Sequence, residues 1–571
     1  MRLWPRLKNI NEAISWVEVR EVCRKIKRHK AAGIDGIPPE FFKILINDKG
    51  IRMDRNEPSS ELGRAFFKML CTWFNSGKLP ETSSTSVVVY IPKKGDLSNL
   101  DNYRGISLIS ISLKLLTSLL INRISAKLEE RNFFLRGQAG FWNQEERVAQ
   151  VIALKEIVLR RKVIKKPTYA AYIDFEKAYD KVPHEALFLK MEAAGIGGRV
   201  MNYFCALYQS SKVKVRVGAK LSQEVPVARG VRQGCPASPT LSNIFINDIL
   251  DESARMTLGV AIPSLLHKIQ GLLFADDLVL LAESKEELQA SLDRLSGWAE
   301  KWGMKFGIKK CQAIVFNGDL EELKAFKPHI APDKIQVDLE HRYLGILIDS
   351  DISIETILKD RIESARKSLY AHKRLLCSKK IPIWSRLAFL KACVFPVATY
   401  GSEIMGSHDM RKLNPSESLV ATGIRWVVGK GAKSSTAAAA TLHRDLGLPP
   451  VPAYCAEQRV RAFTKYTSLK TWIADLVNNI PSWNQFKKWT WCKRTKFWGE
   501  RYNNNASVET ARQESWKLWE HSHQCDSLDP YIERKYEDTH GYLYRMSQGQ
   551  NPGGMEEKLL LLARNGWLMA K

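Results

Sequence analysis

No Cys-x-x-Cys pair occurs in the 571 residues, although ten cysteines are scattered along them. That spacing excludes a disulfide framework and offers no zinc site, so the thiols read as reduced and the protein as intracellular. Long apolar runs are missing too. The longest stretches, ISLKLLTSLLI and GLLFADDLVLLA, are short or broken by charge, and no membrane span or membrane partner is expected. The opening MRLWPRLKNINEAISW has neither an apolar core nor a cleavage signature, which disfavours secretion and leaves nucleus or cytoplasm. Internal repeats are absent. Acid is scarce: 61 Asp and Glu face 87 Lys and Arg, a net charge of +26 that attracts polyanions without naming one. Apolar residues are plentiful, at 45% with 16 Trp, so disorder is excluded as the dominant state. At about 150 residues per domain the length predicts roughly three or four lobes.

The pattern changes along the chain. Residues 1–30 carry nine Lys and Arg against Glu12, Glu18 and Glu21 at helical spacing, and residues 1–85 read as a basic helical extension. From Ser86, SVVVYIPKKG reads as a β-branched strand ending in Pro92, and a helix is predicted from about Ser112 to Glu130. TYAAYID opens as a buried strand, and Pro183 is placed at the first position of a helix. KVKVRVG and the segment after it alternate as a hairpin, and Leu241, Ile244, Phe245 and Ile249 share a helix face. Ser284 and Glu287 form a capping box for a helix ending at Gly303. Beyond 350 the strands run out. A basic helix is predicted over 355–376, KSSTAAAATL reads as a linker, and the remainder is helical and Trp-rich.

Three acids stand out by position. Asp174 closes the apolar strand AAYID, and Asp276 with Asp277 occupies the turn of the hairpin LLFADDLVLL. Carboxylates beside apolar strands are costly through desolvation and mutual repulsion unless a cation compensates. Two divalent metals about 3.5–4 Å apart would do so, an arrangement suited to in-line phosphoryl displacement. An Asp-Asp pair in a hairpin is otherwise a plain turn.

The neighbouring strings decide between those readings. DFEKAYD, VRQGCPASP and FADD follow in order, preceded by VVVYIPKKGDLSNLDNYRGISL and RGQAGF and followed by WGMKFGIKKCQAIVF and HRYLGILID. Together they resemble the consecutive motifs of reverse transcriptases, and YRGISL, RGQAGF, GVRQGCPASP and FADD are most similar to non-LTR retrotransposon (LINE-type) enzymes. The resemblance covers residues 30–350 in detail and extends more loosely to YGSEIMG near 405. It implies an α/β right-hand polymerase: fingers and palm with an antiparallel sheet over 86–349, a helical thumb over 350–430, and a Trp-rich basic helical region over 431–571. It implies an RNA-directed DNA polymerase that adds dNTPs to a DNA primer on an RNA template, holding an RNA–DNA hybrid. Asp174, Asp276, Asp277 and the backbone carbonyl of Phe175 would bind two Mg²⁺ ions, with Mn²⁺ as a substitute. Lys93 (or Lys94) and Arg104 would clamp the triphosphate, since Arg offers a rigid fork of donors and Lys a point charge. Tyr179 would exclude a ribose 2′-OH, or else be a core aromatic. Gln233 and Gly234 would pack on nucleotide and template. Lys310, placed in the last palm strand, would protonate pyrophosphate, or else be a surface lysine.

Two positions depart from the family pattern. Gly307 stands where Asn is common, three residues before Lys310, and Trp142 follows QAGF where a basic residue is common. Both fit a decaying genomic copy. Lys359, Arg361, Arg366, Lys367, Lys373 and Arg374 on the helix 355–376 would contact phosphates, or form a salt-laced exposed face. In 483–502, Trp489, Trp491, Phe497 and Trp498 interleave with Lys487, Lys488, Lys493, Arg494 and Lys496, which suits base stacking or a Trp-rich core. His521, His523 and Cys525 lack a Cys pair, so neither zinc nor an endonuclease is expected, and the tail shows no RNase H acids. Two rivals stand beside the polymerase. A viral-type RNA-dependent RNA polymerase is disfavoured by the aromatic Tyr179, and a catalytically idle or domesticated nucleic-acid-binding derivative is disfavoured by the retained acids.

Overall fold

The computed structural model describes residues 2–46, 57–80, 84–93, 95–250, 258–406, 410–429, 442–443, 446–482, 490–501 and 513. Its strands are β1 (Thr85–Pro92), β2 (Tyr103–Leu108), β3 (Thr168–Ile173), β4 (Lys212–Val217), β5 (Lys220–Leu221), β6 (Val225–Pro226), β7 (Gly271–Phe274), β8 (Asp277–Ala282) and β9 (Gln312–Phe316). They continue with β10 (His329–Ile330), β11 (Asp333–Lys334), β12 (Gln336–Val337), β13 (Glu340–Tyr343) and β14 (Ile346–Asp349). The central sheet has the order β12-β9-β3-β8-β7, and every neighbour is antiparallel except β12 with β9. A second sheet, β2-β1-β4-β5 with β6 also on β4, pairs β1 and β4 in parallel. Helices cover the sheets, which makes the class α/β.

Strand β3 shows why its sequence does not alternate in polarity: all six side chains are buried. Tyr169, Ala171 and Ile173 enter one core with residues of the helices Ile111–Glu130, Ser238–Ile246 and Lys285–Trp302. Ala170 and Tyr172 enter a second core with the helix Arg147–Val163 and the helices beyond 354. A strand buried on both faces needs an unbroken apolar run. The same division holds in β8, where Leu278 and Leu280 face one core and Val279 and Leu281 the other.

Several expectations are corrected here. Among residues 2–30 only Trp16–Lys25 is helical. The preceding stretch runs non-helical along the protein, its Trp4 and Leu7 N–H groups donating to Ala193 and Gly195 carbonyls at 2.8 Å, because tertiary hydrogen bonds outweigh helical spacing. Pro183 is the residue before the helix His184–Ala193, not its first turn. Half of the capping box at Ser284 forms: Ser284 Oγ accepts from Glu287 N–H, but the Glu287 carboxylate accepts from Glu283 instead. The basic helix breaks at His372 into Ile354–Ala371 and Lys373–Leu376. On it Arg361 is buried beside Asp360, while Arg366 and Lys367 both reach Glu363, at 3.3 and 3.5 Å, so these three have carboxylate partners already. Trp491 is core, stacked on Tyr466 with ring centroids 6.0 Å apart, so it offers no face to a base. Trp489, Lys487, Lys488, KSSTAAAATL over 433–441, His521, His523 and Cys525 lie outside the described residues. No described helix is long and apolar enough to cross a membrane.

The helix Arg147–Val163 ties the middle of the chain to residues 476–492. Its Glu156 and Arg160 are fully buried and paired at 2.8 Å. Arg160 also donates to the Leu476 and Asn479 carbonyls, and Glu156 accepts from the Cys492 N–H. A buried pair with its other hydrogen bonds made is tolerable, but removing one partner strands the other charge. We expect Glu156→Ala to destabilise the protein by about 3–5 kcal/mol in urea unfolding, because Arg160 is left without its carboxylate.

Candidate active site

The register of the central sheet assembles the acids. Ile173 pairs with Leu278, so Asp174 lies one step on, directly across from Asp277. Opposite residues of an antiparallel pair have Cβ atoms about 4.5–5.5 Å apart, and like charges there repel. Phe274 pairs with Asp277, so the hairpin turn consists of Ala275 and Asp276 and Asp277 opens β8, a small correction to the predicted turn. Ala275 takes a left-handed φ of 59° to close it.

A segment 137 residues earlier braces this turn: Leu273 N–H donates to Gly137 O at 2.8 Å and Ala139 N–H to Leu273 O at 2.9 Å. Gln138 is buried and clamps the turn from both sides, its Oε1 accepting from Ala275 N–H at 2.9 Å and its Nε2 donating to Ala275 O at 3.2 Å. Gln150 adds donation to Gly137 and Leu273 carbonyls. Gly140 must lack a side chain, since a Cβ there would stand 2.0 Å from Ala275 N.

Electrostatically the site carries a surplus of negative charge. Burial, then the Asp174 carboxylate, push the Asp276 carboxyl above its ordinary range, with Arg104 and Lys310 pulling the other way. Burial, then Asp276 and Asp174, push Asp277 up to about 6, opposed by Arg147 and Lys310. Asp277 keeps a solvent-exposed edge, so water screens part of that repulsion. Asp174 Oδ2 accepts from Lys310 Nζ at 3.0 Å. Among the described residues no three His, Cys, Asp or Glu side chains converge into a ready metal cage. Crowded carboxylates offer hard oxygen donors, which fits Mg²⁺ or Mn²⁺ rather than a thiophilic metal.

The other predicted residues surround this point. Phe175 is buried, its ring 5.1 Å from that of Phe306, so only its backbone is available to the site. Tyr179 is half-buried and edge-on to Phe141 at 6.3 Å, with Ser242 nearby, and burial followed by Asp276 raises its hydroxyl pKa. Gln233 O accepts from Ser107 N–H at 2.7 Å, and its side chain reaches Asp180 at 3.3 Å. Gly234 has φ +113°, and a Cβ there would lie 2.7 Å from Ser107 O, so close approach requires glycine. Arg104 is exposed on β2, close enough to Asp276 to stabilise its charge. Lys93 is exposed just after β1, its N–H donating to Asn102 O at 2.6 Å; Lys94 lies outside the described residues. Lys310 sits in a 3-10 turn, Ile308–Lys310, and not in β9 as expected, because Gly307 O caps the turn by accepting from Lys310 N–H. Sequence reasoning missed Gln138, Arg147 and Ser242. Only the small residues flanking Gln138 in RGQAGF hinted at a backbone-to-backbone contact. Trp142, the second departure, is buried against Phe134 with Lys470 above its ring at 5.5 Å, so a distant lysine supplies the cation there.

Comparison with known proteins follows the same lines. The family described as reverse transcriptase (RNA-dependent DNA polymerase) matches residues 91–348. The Retrovirus-related Pol polyprotein from type-1 retrotransposable element R2 of Nasonia vitripennis is 28% identical over 362 residues, covering 61% of this chain and 32% of that protein. The Transposon TX1 uncharacterized 149 kDa protein of Xenopus laevis is 25% identical, covering 61% and 25%. The RNA-directed DNA polymerase from mobile element jockey of Drosophila funebris is 24% identical over 426 residues, covering 73% and 44%. The chain thus spans less than half the length of these curated relatives. A structure of apo telomerase from Candida tropicalis, truncated from the C-terminal domain, aligns at 14% identity and a TM-score of 0.34 over 48% of this chain and 54% of that one.

The raised Asp277 carboxyl sets a pH dependence. Between the ordinary Asp range and about 6 the folded chain binds more protons than the unfolded one, so stability falls as pH rises through that window. In EDTA, Asp277→Asn is expected to stabilise the protein by roughly 1 kcal/mol at pH 7 and by less at pH 5. Thermal melts of both proteins at the two pH values measure this, and an equal effect at both would assign the gain to something other than charge.

Proposed function

We propose, from the premise that residues 91–348 form a reverse transcriptase domain of the non-LTR retrotransposon (LINE-type) kind, that the chain is an RNA-directed DNA polymerase extending a primer 3′-OH with dNTPs. The observation that carries the reading is the register of β3 on β8, which sets Asp174 against Asp277 beside the Asp276 turn. Two divalent cations held by Asp174, Asp276, Asp277 and the Phe175 carbonyl would acidify the primer hydroxyl and neutralise the leaving pyrophosphate. The chain's own groups do the positioning. Arg104 on β2 and Lys93 just after β1 would clamp triphosphate oxygens. Tyr179, packed edge-on against Phe141, would present its ring to the sugar. Gln233 and Gly234, fastened to Ser107, form the floor for the base pair, and Lys310 stands ready to donate a proton to pyrophosphate. We assign residues 1–85 to an N-terminal extension, 86–349 to fingers and palm, 350–430 to the thumb and 431–571 to a C-terminal region whose described helices share the second core. The partners in this reading are an RNA template, a DNA primer and their hybrid, engaged inside the cell by a strongly basic protein.

A poly(rA)/oligo(dT) extension assay with Mg²⁺ tests the reading. Asp174→Ala and Asp276→Ala are each expected to lower extension about a thousandfold while changing hybrid binding less than about twofold. Extension by either variant at the unmutated rate would reject the site. Tyr179→Val is expected to relax the preference for dNTP over NTP by about ten- to a hundredfold, measured by single-nucleotide incorporation.

A further inference from the structure

Gly307 does not serve the backbone. Its φ of −84° is open to any residue, yet a Cβ there would lie 2.6 Å from Asp174 Oδ2. What the glycine provides is room, and the Asp174 carboxylate fills it. The surrounding frame is fixed: Gly307 N–H donates to Asp174 O at 2.8 Å, and Glu176 N–H donates to Lys305 O at 2.9 Å. A bridge between Phe175 and Phe306 completes this short antiparallel contact. From the space beside Gly307, Asp174 Oδ2 meets Lys310 Nζ at 3.0 Å. The lysine side chain is 73% exposed, so the pair is held loosely and can open.

We propose that Gly307 and Lys310 together form a placeholder for the divalent cation: when none is bound, the vacancy beside Gly307 lets the Asp174 carboxylate lean onto the Lys310 ammonium. Lys310 then competes with the metal for one carboxylate. Binding of the cation requires Asp174 to swing back toward Asp276 and Asp277, which frees Lys310 to face the substrate. Gly307 is thus a positioning residue that acts through Asp174, and this inference rests on the reading of Asp174 as a metal ligand. A competitor occupied most of the time lowers apparent affinity by the fraction of sites left open, so its removal should tighten binding about three- to tenfold.

Mn²⁺ binding to the full chain, followed by the electron paramagnetic resonance of free Mn²⁺ without nucleic acid or dNTP, tests it independently of activity. Lys310→Met and Gly307→Ala are expected to bind Mn²⁺ about three- to tenfold more tightly than the unmutated chain. Lys309→Met, which removes the same charge one residue away, is expected to leave affinity unchanged. Equal shifts in Lys310→Met and Lys309→Met would reduce the effect to general charge and overturn the placeholder, as would a Gly307→Ala chain with unaltered or weaker affinity. Asp174→Asn separates the two levels. Weakened Mn²⁺ binding in that variant keeps the metal-site reading whatever the placeholder does, whereas unchanged binding rejects the metal-site reading itself.

Discussion

Repulsion among three carboxylates is the constraint around which the molecule is organised. Asp174, Asp276 and Asp277 come together because the sheet register leaves them no alternative, and nothing in their own chemistry favours the meeting. Such a site persists only if the scaffold is stiff enough to hold it. The stiffness is visible in the doubly buried β3, in the turn gripped by Gln138, and in the hydrogen bond from Ser107 N–H to Gln233 O. Cations at the margin, Arg104, Arg147 and Lys310, offset part of the repulsion.

The two cores explain how distant parts of the chain contribute to that stiffness. One face of the central sheet is packed by the N-terminal and middle helices, the other by the helices that follow residue 350. The helix Arg147–Val163 lies between the sheet and the C-terminal helices, and Arg160 donates to carbonyls more than 300 residues downstream. The described C-terminal helices therefore complete the core on which the acids rest. Glu145 and Glu146 extend the same joint, accepting from Lys470, Thr471, Arg461 and Lys465.

Much of this was legible in the residues. The strands TYAAYID and LLFADDLVLL, the helix face of Leu241, Ile244 and Phe245 and the cap at Gly303 depend on local periodicity and turn chemistry, which a sequence displays directly, whereas Ile249, expected on that face, lies beyond the helix end at Ile246. Where tertiary contacts decide, the sequence is silent. Nothing local shows that residues 2–15 hydrogen-bond to Ala193 and Gly195 rather than coil, or that Trp491 faces Tyr466 instead of solvent. The three acids could be singled out because the strings DFEKAYD, VRQGCPASP and FADD follow in order around them, whereas an Asp-Asp pair alone reads as a plain turn. Gln138 and Ser242 could not, because a buried amide or hydroxyl is ordinary until its partner is known. Gly307 is the sharpest case, for a departure that reads as decay in the sequence occupies a position where a Cβ would press on the Asp174 carboxylate as it now lies.

The position of β3 at the middle of the sheet bears on how the protein comes to exist. Both neighbours of β3, β8 and β9, are encoded roughly a hundred residues or more after it, and non-local pairings of this kind form slowly. While the nascent chain emerges from the ribosome, Asp174 therefore sits on an unpaired apolar segment that must be shielded until its partners are translated. The three acids therefore meet only once β8 has paired with β3, and the sheet closes on its other side only when β9 is made.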